Sequence, residues 1–377
     1  MNLGIHKTMS NSKRNEEIDI IKAIGIICVV AGHSSAPMPK IIFLFHVAIF
    51  FIASGFFYKE SYSETFKDVK NFIIKKIKSL WIPYFICNSC FVLLNNIFIK
   101  LNIYTNNAEI LSYGFGEYTS VSKYFSFSDM LINIAKSTYF SGCTILASAL
   151  WFVKILFFIS IGYCVFDFII KKIFKRNIIL IQFIVSIIFL LLGYYLHINN
   201  YPIFGLDKLL SYYILFFMGH ILFLCKENYC QKNIIYYLST AILSLIVLIV
   251  LLNFGNISLD LTEYTNPLFF ILSSFFGWCF LYSISALIKN CKLKIILLEI
   301  GKRTMSVLIL HLLCMKLVAY IVCLYYKLPS FCVAGHPNVY GDRGMWWLAY
   351  MLVGIFIPVC LSIFFEKIKS KVKVHNN

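Results

Sequence analysis

The chain has 377 residues, of which 60% are hydrophobic, 18% aromatic and 14% charged. A soluble domain carries about 25% charged and about 45–50% apolar residues, so an ordinary soluble protein, a disordered chain and a disulfide scaffold are all excluded. The net charge of +17 does not point to nucleic acid, because Lys and Arg form short clusters between apolar runs, the pattern of membrane topology.

Ten apolar segments follow one another: 18–36, 41–58, 80–99, 149–169, 178–197, 207–225, 233–253, 266–288, 304–325 and 345–365. They are continuously apolar and do not alternate, which argues against a β-barrel. Helices are the remaining way to satisfy a backbone in lipid. The expected fold is an all-α polytopic membrane protein of about ten transmembrane helices. One transmembrane domain covers 1–377, with a short segment 1–17 before the first span and a basic tail 366–377 after the last.

Of the 34 Lys and Arg, 24 fall in one set of loops: Lys7, Lys13 and Arg14, six Lys between 59 and 78, and the groups at 171–176, 226–232, 289–303 and 367–373. The alternate loops hold seven (Lys40, Lys100, Lys123, Lys136, Lys208, Lys327 and Arg343), and Lys22, Lys154 and Lys316 lie within spans. This alternation predicts both termini in the cytoplasm, as an even count of ten requires. Glu16, Glu17 and Asp19 ahead of a long apolar run argue against a cleavable signal peptide.

The first span concentrates costly polar groups. Lys22 and His33 are eleven residues apart, close to three helical turns, so they share a face about 16 Å apart along the axis. Ionisable residues inside spans usually mark function. A cation near the cytoplasmic end and an imidazole near the outer end suit a long, phosphate-headed ligand. The plainer alternative is a snorkelling Lys and a helix-capping His. His46 lies one turn inside the second span, His220 in the sixth, and His311 in the ninth between Ser306 and Lys316. Each alone reads as a hydrogen-bonded structural His, but several at similar depth suit proton transfer.

The outer loop 100–148 carries Tyr104, Tyr113, Phe115, Tyr118, Tyr124, Phe125, Phe127, Tyr139 and Phe140, with Glu117 and Asp129. Such rings serve either as sugar platforms or as membrane-interface anchors. Thirteen Cys are mostly buried in apolar segments. Cys87 and Cys90 have no second pair at zinc spacing, so no metal site is expected. Cys143 and Cys332 could pair in an oxidising compartment.

These residues resemble acyltransferase family 3, the integral-membrane O-acyltransferases. Lys22 and His33 match the family's basic residue, ten-residue gap and His, with Lys where Arg is commoner, and Asp19 matches an acidic position. Phe45 to Phe57, with His46 and Ser54, is similar to the His-containing FF-x-x-SG segment, with Ala48 near the place of a frequent Pro. Lys75, Lys76 and Lys78 ahead of Ile82-Pro83-Tyr84 resemble the basic run before IPY. Trp151 falls in an LWF opening, and Gly301 to His311, with Ser306, resembles the late GK-x-S…H helix. The matches run from residue 14 to about 316.

The resemblance implies transfer of an acyl group, usually acetyl from cytoplasmic acetyl-CoA, to a hydroxyl, often on a surface glycan of a bacterial inner-membrane pathway. The stand-alone type is expected, without an esterase-like domain. Lys22, Lys75, Lys76 and Lys78, with Arg14, are the candidate acyl-CoA contacts, although the positive-inside rule alone accounts for the 75–78 run. His33 is the candidate general base or transient acyl carrier, and His46 and His311 would orient it or stabilise the oxyanion. Asp19, Ser54, Trp151 and Ser306 are candidate supporting residues. A transporter or polymerase of glycan assembly explains the composition but not the Lys22–His33 spacing.

Overall fold

The computed structural model describes residues 15–37, 40–115, 121–142, 144–201, 205–230 and 232–375, with side chains to 371. Seven described helices are long and apolar enough to cross a membrane: Ile145–Ile173, Ile178–Ile198, Leu206–Leu224, Ile234–Leu251, Pro267–Ile288, Thr304–Tyr325 and Trp346–Lys371. The protein is therefore an all-α, multi-pass membrane protein. Seven of the ten expected spans meet that measure.

The other three segments depart for local reasons. The first forms α1 (Glu16–His33), which holds Glu16, Glu17, Asp19 and Lys22 within 18 residues. Asn15 caps it by accepting from the Ile18 amide at 3.0 Å, and the acidic first turn suits the positive end of the helix dipole. The second segment is split into α2 (Lys40–Phe43) and α3 (Ala48–Phe56), with turn residues between. The third is α5 (Ile82–Lys100), which continues α4 (Phe66–Lys76) through a π turn at 77–81. Pro83 has no amide hydrogen for the carbonyl of Ser79, and the helical ladder relaxes there. Asn95 and Asn96 of α5 turn to the chain at 123–125, donating to the carbonyls of Lys123 at 2.9 Å and Phe125 at 2.8 Å.

The remaining helices are α6 (Phe127–Thr138), α7 (Trp151–Ile173), α8 (Ile178–Ile198), α9 (Leu206–Leu224), α10 (Lys226–Tyr229), α11 (Ile234–Leu251), α12 (Pro267–Ile288), α13 (Leu293–Lys302), α14 (Thr304–Tyr325) and α15 (Trp346–His375). Strands β1 (Ile257–Ser258) and β2 (Glu263–Tyr264) form a small antiparallel hairpin between α11 and α12.

α1 is the hub, packed on α3, α12, α13, α14 and α15. The α3–α9 crossing is closed by two glycines. A Cβ on Gly55 would fall on the Phe216 carbonyl, and one on Gly219 on the Ile52 carbonyl, so only hydrogen fits at either position. α8 and α11 lie outside this centre and expose Phe183, Ile184, Ile188, Ile242 and Ile246, the surface that lipid covers.

Candidate active site

Lys22 and His33 line one and the same cavity, of about 790 Å³. The three-turn spacing on α1 is therefore realised as one wall, and the cavity runs the length of that wall. Gly301 and Lys302 join the Lys22 end, because α13 lies against α1 so closely that a Cβ on Gly301 would fall on the Asp19 carbonyl. Val29, Phe50, Ser54 and Phe152 flank the passage, while His46, Trp151, Asp260 and His336 belong to the His33 end.

At the Lys22 end the charges are paired. Lys22 contacts the buried Asp19 at 2.7 Å, and Lys302 contacts Glu299 at 2.8 Å. Arg303 also pairs with Glu299, and with Glu366 at 2.6 Å. Hydrogen bonding from Lys302 holds the Glu299 carboxyl below its usual range.

At the His33 end the groups are imidazoles. The His33 and His311 rings lie 5.2 Å apart between centroids. His311 is fully buried, and its Nδ1 lies 2.9 Å from the Val307 carbonyl and 3.0 Å from that of Leu308. Carbonyls only accept, so Nδ1 carries the proton and Nε2 presents a lone pair. That Nε2 has no hydrogen-bond partner among the described residues. The same argument fixes His46: its Nδ1 lies 3.1 Å from the Ile42 carbonyl, leaving Nε2 as an acceptor. The break between α2 and α3 is what lets His46 reach this position.

Two loops complete this end. In the first, Tyr212 donates to the Leu259 carbonyl at 2.6 Å and Lys208 to the Asp260 carbonyl, which holds the β1–β2 hairpin over the cavity. Lys208 also lies 5.3 Å from the Trp151 ring centre. In the second, Asn338 donates to the His33 carbonyl at 2.8 Å and to the Ser35 hydroxyl at 2.9 Å. The buried ammonium of Lys316 donates to the carbonyls of Ala334 and Gly335. Burial first, then Lys316 and His33, push the His336 imidazole down to about 3, so it is neutral.

The structure brings His33, His46, Ser54, Trp151 and Lys22 to this cavity, with His311 directly behind His33 and Asp19 behind Lys22. The other candidates are placed elsewhere. Lys75 donates to the Tyr62 hydroxyl at 2.9 Å, Lys76 lies over the Phe72 and Phe216 rings, and Lys78 is exposed. Burial, with the neighbouring Lys75, brings Lys76 down to about 8. Ser306 faces Ser362 of α15 at 3.3 Å.

Arg14 lies outside the described residues, as do Glu117, Tyr118 and Cys143. Tyr104, Phe115 and Phe140 of the 100–148 loop are packed into the protein, while Tyr124, Phe127 and Tyr139 are exposed. None of these described aromatics lines the cavity. Asp260 and His336 carry no sequence signal as site residues, since they occupy loop positions without periodicity, whereas Lys302 stands in the Gly301 to His311 segment, though not as an expected contact. Among the described residues, no three His, Cys, Asp or Glu side chains are grouped to hold a metal.

A helical membrane bundle with an imidazole-lined cavity running along one helix defines the class: a multi-pass membrane protein. The profile of acyltransferase family 3, described as an acyltransferase domain, matches residues 15–366, and the chain belongs to that family. No curated protein and no solved structure matches it.

Proposed function

We propose that this membrane acyltransferase moves an acyl group, acetyl from acetyl-CoA, to a hydroxyl of a carbohydrate acceptor at the cell envelope of a bacterium. The observation that carries the reading is the cavity joining Lys22 to His33. The 24-to-7 division of Lys and Arg supports a cytoplasmic Lys22 end and an outer His33 end.

In this reading the CoA phosphates exchange with the carboxylates that now hold Lys22 and Lys302. The pantetheine arm follows α1 past Val29 and Ser54, and its thioester arrives beside His33. The His311 ring lies 5.2 Å from that of His33, so its Nε2 lone pair is placed to take one N–H of His33 when the thioester seats, which would leave the other ring nitrogen as the base for the acceptor hydroxyl. His311 is then a positioning residue. The acceptor sugar enters between Trp151 and the hairpin carrying Asp260, where a ring face and a carboxylate suit a polyol.

The test is His33→Ala at equal membrane expression, with CoA release from acetyl-CoA measured in proteoliposomes. Removing a general base is expected to cost about 10²–10⁴-fold in rate. Unchanged turnover would overturn the mechanism, and a wild type that leaves acetyl-CoA intact would overturn the proposed function.

A further inference from the structure

The strongest unassigned feature of the molecule is the segment 334–341 and its one imidazole. Lys316 is almost completely buried, a costly place for an ammonium, and its partners there are the carbonyls of the two residues before His336. The His336 amide donates to the Phe115 carbonyl at 2.7 Å. Asn338 is bonded to the carbonyl of His33 itself, and the buried Tyr350 hydroxyl donates to the Val339 carbonyl at 3.0 Å. Four anchors thus fix a short loop, and the side chain it presents to the cavity is His336. The Nδ1 of that ring is buried and has no hydrogen-bond partner among the described residues. Native proteins leave few buried polar atoms unpaired, and an orphan on a ring that lines a cavity calls for an explanation.

We propose that His336 is a second residue of the reactive end, donating a hydrogen bond to the acyl carbonyl oxygen as the acceptor hydroxyl adds to the carbonyl carbon. This rests on the acyltransferase reading. The acceptor oxygen bonds to the thioester carbon while its proton passes to His33, and negative charge collects on the carbonyl oxygen facing His336. The C–S bond then breaks, the CoA thiolate leaves, and the proton on His33 returns to that sulfur. His336 gives up no proton in the cycle. A neutral imidazole suits this role, because it polarises a carbonyl without itself ionising.

The experiment compares wild type, His336→Phe and His336→Gln in liposomes, following CoA thiol release from acetyl-CoA with methyl α-D-glucopyranoside as acceptor and water as background. Phe keeps a ring and removes the donor, and Gln restores an N–H. Loss of one oxyanion donor is expected to lower kcat about 10²–10³-fold, with KM for acetyl-CoA changed by less than about twofold. Gln should recover a substantial part of the loss, and both variants should melt with the wild type. A Phe variant with wild-type kcat, or Phe and Gln variants that fall equally and melt early, would overturn the assignment. If wild type releases no CoA thiol with either acceptor, the acyltransferase reading itself falls, which is distinguishable from an active wild type beside an equally active Phe variant.

Discussion

At the Lys22 end of the cavity, Lys22, Lys302 and Arg303 are each held by a carboxylate. At the His33 end, ring nitrogens of His311 and His336 are buried without partners among the described residues, and the surrounding loops are fastened mainly through backbone carbonyls. The exposed Lys302–Glu299 pair is weak and exchangeable, commonly about 0–1 kcal/mol, so an anionic ligand can replace Glu299 there at little cost, while Lys22 is held by the buried Asp19. Fixed dipoles in a dry site need no reorganisation when charge develops. In the proposed reading, one end suits a ligand that arrives and leaves and the other suits chemistry.

That contrast predicts different kinetic signatures. The largest effect is expected at His33, where the Ala variant should lose its rate and retain acetyl-CoA affinity. Next comes Lys22→Met, which removes a phosphate contact of the charge-assisted kind, worth about 1.5–3 kcal/mol. KM for acetyl-CoA should rise about tenfold or more with kcat nearly unchanged, and a fall in kcat at constant KM would erase the distinction between the ends.

Tyr350→Phe should have a smaller effect. It removes the hydroxyl that bonds Val339, and is expected to cost about 1 kcal/mol of stability and a modest part of kcat through the 334–341 loop. Thermal melting and initial rates measured on one preparation would check it.

The smallest effect belongs to Glu299→Gln. Lys302 holds the Glu299 carboxyl below its usual range, so the pairing contributes stability above the unfolded value, about 4.3, and loses it as pH falls through the depressed folded value. Wild type should therefore melt slightly above the variant at pH 7, with the gap closing in strong acid. A gap that widens on acidification would reverse the sign of the argument.

The Lys22–His33 wall was legible because eleven residues return a helix to the same face. The approach of His311 to His33 was suggested only by the family resemblance of Gly301 to His311, since burial on an apolar helix does not say which neighbour an imidazole meets. The break at 44–47 was not legible, because residues 41–58 are apolar throughout and hydropathy is blind to a turn that lines a cavity. Ser306 illustrates an avoidable miss. It stands five residues before His311, about 140° around the helix, and so it faces α15 while His311 faces His33. The 75–78 run shows a different limit: Lys needed for topology and Lys needed for phosphate look alike until their partners are seen. Asp260 and His336 were hidden because tertiary packing, not local pattern, carries their loops to α1.

The bond from Asn338 to the His33 carbonyl joins residues 305 positions apart. A ribosome releases α1 long before this loop, so the half-made protein can be inserted in the bilayer while its reactive end is still unassembled. In the proposed reading, acyl-CoA meets no finished catalyst until α14 has delivered Lys316 and the following loop has settled on α1. The order of synthesis would thereby delay the proposed activity until the helices between α1 and that loop are in place.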